Sequence, residues 1–287
     1  MALTAFQGSF PMKDIHCAFD KARARDVFLD YAEQYDTKNT LISHKIEHTL
    51  RVAELSERFA SALGMAPGDT SCAWFFGLLH DFGRFEQVRR FGTFVDSQSV
   101  DHAELSADIL FCDGFIDHFP TEGLPEDWRS MAQSVIRQHN KLTLSEDLDE
   151  RTRRFADLLR DADKTDIFRV IASIPFEERI GSSKASFTET GEASDAVMAC
   201  VTAHRCVPRA LRHSHFEGRI AHCCMAFELV FEISRRTVRE EGYLLALLAE
   251  EDATGRQIWT DRETEQLRIL RREIESAWGM PLEEALK

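Results

Sequence analysis

Ala73-Trp74-Phe75-Phe76-Gly77-Leu78-Leu79-His80-Asp81-Phe82-Gly83-Arg84 is an apolar run that ends in an imidazole and a carboxylate side by side. The part from Ala73 to Leu79 is fit for the middle of a core, where a polar pair is expensive unless something buried satisfies it. A divalent cation is the most economical partner. The remaining ligands must then come from elsewhere in the chain.

Working outward from this run, helical periodicity dominates. Ile42, Ile46, Leu50, Val52, Ala53, Leu55, Phe59 and Leu63 repeat at intervals of three and four and predict an amphipathic helix over 41–63. Asp69-Thr70-Ser71 offers an N-cap for the helix that ends at His80-Asp81. Ser99 or Asp101 opens the next, through Leu105 and Ile109 to Phe111. A further helix follows Pro125, through Trp128 and Val135 to His139, and another runs from Glu150 through Leu159 towards Val170. Later, 193–207 and 216–238 read as helices and 262–277 as a charged, peripheral one, while Gly181-Ser182-Ser183-Lys184 and Thr188-Glu189-Thr190-Gly191 are loop signals. Strand-like alternation is hard to find. The expected fold is all-α: a helical core over 1–175 that includes an N-terminal helix, and a helical extension over 176–287 packed on it.

A net charge of −14 argues against a nucleic-acid polymer as partner, since such binders carry a basic face. It leaves room for a small phosphorylated substrate, because bound cations reverse the field locally. No apolar run approaches the roughly 20 residues that span a bilayer. The start, Met1-Ala2-Leu3-Thr4-Ala5-Phe6, lacks the basic and apolar regions of a signal peptide, so no membrane partner is expected. Seven cysteines without CxxC spacing read as reduced, buried thiols of a cytoplasmic protein, with Cys223-Cys224 filling core.

Candidate ligands fall on separate predicted helices: His48, then His80 and Asp81, His102, His139 and Asp163. A helical bundle gathers such residues into one interior. Imidazole with carboxylate suits Mn, Fe, Co, Ni or Zn better than Ca. Asp161 competes with Asp163, but two positions are about 200° around a helix, so only one of them faces the metal.

The order His48, His80-Asp81, His102, His139, Asp163 resembles the HD-domain superfamily of metal-dependent phosphohydrolases, over roughly 42–170. The resemblance implies an HD-domain helical bundle in which His48, His80, Asp81 and Asp163 hold a first metal ion. His102 and His139 match the further histidines of the dinuclear branch, with Asp81 as the bridge, and the family's alanine-aspartate-basic pattern selects Asp163 over Asp161. It also implies two divalent transition-metal ions as cofactor. The reaction would be hydrolysis of a phosphate ester, in a nucleotide or small phosphorylated metabolite, by a metal-activated water, so no Ser or Cys nucleophile is required. Lys45, three residues before His48, and Arg84, three after Asp81, are the candidates for steadying the phosphate. Lys141 and Glu86 read as solvated charges and His44 as a capping or solvated histidine. His204, His213, His215 and His222 fit no ordinary zinc spacing and read as structural or, at most, substrate-pocket residues.

Two departures separate the chain from familiar branches. Signalling-nucleotide hydrolases of the superfamily often carry Glu where this chain has Arg84, and the GYP signature of the cyclic-di-GMP branch does not follow His139. Two other readings share the ligand set: a di-iron oxygenase of the same superfamily, and a non-catalytic sensor that keeps its metal for structure. The completeness of the set argues against the sensor.

Overall fold

Asp20 and Asn39 start the first two helices, each accepting a backbone N–H of the first turn: α1 (Lys21–Ala32) and α2 (Thr40–Ala62). In this computed structural model, residues 18–174, 191–251 and 254–283 are described. Helix α3 (Pro67–Leu79) begins earlier than the expected cap at Asp69. Pro67 takes the first helical position, where its fixed φ helps and its missing N–H does no harm. Residues 80–82 make a turn into α4 (Gly83–Phe91), which the sequence reading did not anticipate. Helix α5 (His102–Ala107) opens on Asp101, as expected, and passes into a π-helical turn at Asp108–Cys112. Then come α6 (Trp128–Gln138) and α7 (Glu150–Ser173).

The later helices are α8 (Asp195–Thr202), α9 (His215–Cys223), α10 (Glu232–Glu241), α11 (Tyr243–Leu247) and α12 (Asp261–Trp278). No strand occurs among the described residues beyond one isolated bridge between Glu251 and Gln257, so the chain is all-α. No helix among them is long and apolar enough to cross a membrane.

Three expectations need correction. The helix expected over 193–207 is the shorter α8, and the one expected over 216–238 is broken into α9, a 3-10 turn and α10. The break has a cause: the N–H groups of Val230 and Phe231 donate to the buried Asp161 carboxylate of α7, which holds them off the helical path. Helix α12 is not peripheral, because Leu267, Leu270, Ile274 and Trp278 bury one face while a Thr260–Glu263 capping box fixes its start. The loop signals at 181–184 and 188–190, and the start 1–6, lie outside the described residues.

The core is aromatic. Phe28, Phe75, Phe82 and Phe85 are fully buried, and Tyr31 stacks on Phe82 with ring centroids 3.8 Å apart. One apolar cluster extends from Phe19 to Ala162 and a second from Phe168 to Leu282, so α7 carries residues of both. Cys223 and Cys224 are core filling, whereas Cys112 is exposed, against the expectation that the thiols are buried.

The two glycines flanking the His80-Asp81 turn are points of close approach. A Cβ on Gly77 would come 2.6 Å from Ala53 Cα of α2, and one on Gly83 would come 2.6 Å from the Ser106 backbone nitrogen of α5. Backbone cannot yield as a flexible side chain can. Gly77→Ala is therefore expected to destabilise the protein by about 1–3 kcal/mol, the usual effect of overpacking, read as a lower denaturation midpoint. Unchanged stability would show that α2 and α3 are not clamped at this point.

Candidate metal centre

Four helices and one turn bring the six expected ligands into a single buried cluster. His48 comes from the middle of α2, His80 and Asp81 from the α3–α4 turn, His102 from the first position of α5, His139 from the end of α6 and Asp163 from α7. All are buried except Asp163, whose side chain is 15% exposed.

The two oxygens of Asp81 face two different groups. On one side, Asp81 Oδ2 lies 3.2 Å from His80 Nε2 and 3.6 Å from His48 Nε2. Asp163 Oδ1 joins this group at 3.1 Å from His48 Nε2 and 3.8 Å from His80 Nε2. On the other side, Asp81 Oδ1 lies 3.5 Å from His102 Nε2 and 3.7 Å from His139 Nε2. Donor atoms placed about 2.0–2.2 Å from one ion are themselves about 3–3.6 Å apart, so both groups have the spacing of a shared cation.

The imidazoles are fixed for that task through their other nitrogens. Nδ1 of His80 bonds the Gly77 carbonyl and Nδ1 of His139 the Ile136 carbonyl, each at 2.7 Å. Nδ1 of His48 meets Asp166 Oδ2 at 2.7 Å, and Nδ1 of His102 meets Asp96 Oδ2 at 2.6 Å. These acceptors place the proton on Nδ1 and direct the Nε2 lone pair inward. His102 Nε2 and His139 Nε2 then lie 3.0 Å apart with lone pairs facing, an arrangement that a cation between them relieves. His48 Nε2, His80 Nε2 and Asp81 Oδ1 are buried without a hydrogen-bond partner. The donor set therefore fits divalent transition metals.

Electrostatics agree. Burial pushes the His80 imidazole down, and burial together with Arg84 pushes His102 down to about 4, which keeps both neutral and able to ligate. His48 departs from this pattern: burial and Lys45 oppose its charge, but the carboxylates of Asp163 and Asp166, one beside each ring nitrogen, outweigh them and raise it. Burial works against ionising Asp81, yet Lys45, His80 and His139 hold it well below the usual carboxylate range.

Lys45 places Nζ 2.5 Å from Asp81 Oδ2. Arg84 places Nε 3.5 Å from Asp81 Oδ1, and its Nη1 donates to Asp96, Gln87 and the Phe94 carbonyl. Arg84 thus braces the carboxylate that orients His102.

Asp161, two residues before Asp163, points to the opposite side and accepts from Val230, Phe231 and Ser234, so it is structural rather than solvated. Lys141 is tied to Asp101 at 2.6 Å and Glu86 is buried against Arg89, Arg90 and Tyr35, so neither is the free solvated charge the sequence suggested. His204 pairs with Glu273 at 2.7 Å, and none of the groups of metal-ligating atoms among the described residues includes His204, His213, His215 or His222.

Two residues of the centre escaped the sequence reading. Asp166 left a usable signal, since it follows Asp163 by three positions and shares its helix face. Asp96 left none, because it reaches His102 from a short 3-10 turn outside the α-helices.

Residues 46–168 of the chain match the family model of the HD domain. Comparison with curated proteins and with solved structures returned no match.

The hydrogen bonds to Nδ1 predict that Asp166→Asn and Asp96→Asn each weaken metal binding by about 10–100-fold, measured by calorimetric titration with Mn²⁺. Wild-type affinity in both variants would mean that the imidazoles are oriented by packing alone.

Proposed function

From the HD domain that residues 46–168 form, we propose that this chain is a metal-dependent phosphohydrolase that cleaves a phosphate ester of a nucleotide or small phosphorylated metabolite. The observation that carries the reading is the division of one buried carboxylate, Asp81, between two groups of imidazole and carboxylate donors, with an ammonium and a guanidinium beside it. Divalent ions held by His48, His80, Asp81 and Asp163 and by Asp81, His102 and His139 would lower the pKa of water and neutralise charge on the phosphoryl group and leaving oxygen.

The chain's own residues do the rest. Asp81 sets the spacing of the two groups, because each of its oxygens serves one of them. Lys45 supplies a point charge at the rim of the cluster, its Nζ 5.5 Å from the centre of the Phe94 ring, and steadies the phosphoryl oxygens. Burial of His80 and Asp81 keeps bulk water out and strengthens every charge interaction inside.

We take 1–175 as the metal-binding core and 176–287 as an extension that supports α7, on the strength of the hydrogen bonds that Asp161 accepts from Val230, Phe231 and Ser234. The free thiols among the described residues suit a reducing, cytoplasmic setting.

Metal-loaded protein is expected to release product from members of a phosphoester and nucleotide panel. Asp81→Ala should abolish both metal binding and turnover. Lys45→Ala should keep its metal and lose about a hundredfold in kcat/KM, the scale of one well-placed charge stabiliser. No cleavage across the panel, or full activity in Asp81→Ala, would refute the reading, and iron-dependent oxygen uptake would replace it with the oxygenase.

A further inference from the structure

Two helical stripes run outward from two of the metal ligands. On α2, Leu41, His44 and Lys45 precede His48 on one face, at spacings of three and four. On α7, Asp163 is followed by Ile167, Val170 and, just past the helix end, Ile174, again at spacings of four, three and four. The stripes face each other across a cavity of about 110 Å³, whose side is closed by Phe94. His48 and Lys45 both line it, so it adjoins the metal cluster.

Its chemistry is one-sided. Among the described residues, five of the lining side chains (Leu41, Phe94, Ile167, Val170 and Ile174) are apolar, and the others are His44, Lys45 and His48. No carboxylate, amide or hydroxyl side chain lines it among the described residues. A sugar or polyol placed here would lose water from its hydroxyls and find few partners, which is costly. An apolar group would gain by leaving water. The volume is below the roughly 150 Å³ that admits benzene in a cavity lined by Leu, Ile and Phe.

We propose that this cavity receives the organic part of the substrate, so that the preferred ester is that of a short, branched, apolar alcohol rather than of a sugar or polyol. The proposal rests on the phosphohydrolase reading for the placement of the phosphate, at Lys45, and narrows its substrate class. Val170 and Ile167 are the specificity-determining residues, being half-buried, on the stripe that leads from Asp163, and without a metal to hold.

The test uses phosphonates, which cannot be hydrolysed. The Mn²⁺-loaded full chain is titrated calorimetrically with isobutylphosphonate and with 2,3-dihydroxypropylphosphonate. Isobutylphosphonate should bind at least tenfold more tightly, and Val170→Asn and Ile167→Asn should each reduce that preference at least threefold with metal content unchanged. Equal affinities, a preference for the diol, no binding of either compound, or a preference untouched in both variants would overturn the proposal. The two readings fail separately. A phosphonate preference without cleavage of any ester would remove the phosphohydrolase and leave the cavity assigned, whereas ester cleavage without preference would do the reverse.

Discussion

The structure depends on keeping Asp81 ionised where water hardly reaches it, at 2% exposure. A lone buried carboxylate would take up a proton rather than remain charged. Here Lys45 and the Nε2 atoms of His48, His80, His102 and His139 all lie within 3.7 Å of its oxygens. The outer carboxylates are satisfied differently: Asp166 is paired with Arg51 and Arg169, and Asp96 with Arg84. The two inner ones are satisfied within the cluster: Asp81 lies beside Lys45 and Arg84, and Asp163 Oδ1 lies 3.1 Å from His48 Nε2.

Helix α7 connects this centre to the rest of the chain because its two sides do different work. Asp163 and Asp166 face the metal ligands, while Asp161, about 200° from Asp163, collects the N–H groups of Val230 and Phe231. The C-terminal helices thus act on the site through α7, and through Glu241, which pairs with Arg51 beside Asp166. Among the described residues, all that line the cavity precede position 175.

Much of this was legible in the sequence. Apolar periodicity located α2, α6 and α7, because each buries a continuous stripe over three turns or more. The side chains that cluster were legible because an imidazole or carboxylate among apolar neighbours contradicts its surroundings and so stands out. Other features were not legible. Helix α4 escaped notice because Arg84, Glu86, Gln87, Arg89 and Arg90 give it a polar composition, although Phe85, Glu86 and Val88 are buried. The break at Leu229–Phe231 was hidden because its cause, Asp161, lies far away in the chain. Asp96 was hidden for a different reason: it lies only six residues before His102, but a short 3-10 turn carries no periodicity to say which side chain it meets.

The glycines of the opening run show how such a short stretch governs the whole site. Gly77 lets α3 press against Ala53 of α2, the helix that carries His48. Gly83 does the same against Ser106 of α5, the helix that His102 begins, and donates its N–H to Ser106 Oγ at 2.8 Å. Ser106 Oγ in turn donates to the His102 carbonyl at 2.8 Å. Gly77 also offers the carbonyl that fixes His80. The residues on either side of His80-Asp81 therefore set its distance to the ligands of both groups. A larger side chain at either glycine would push away the helix that supplies His48 or His102, and Asp81 would cease to span the two groups.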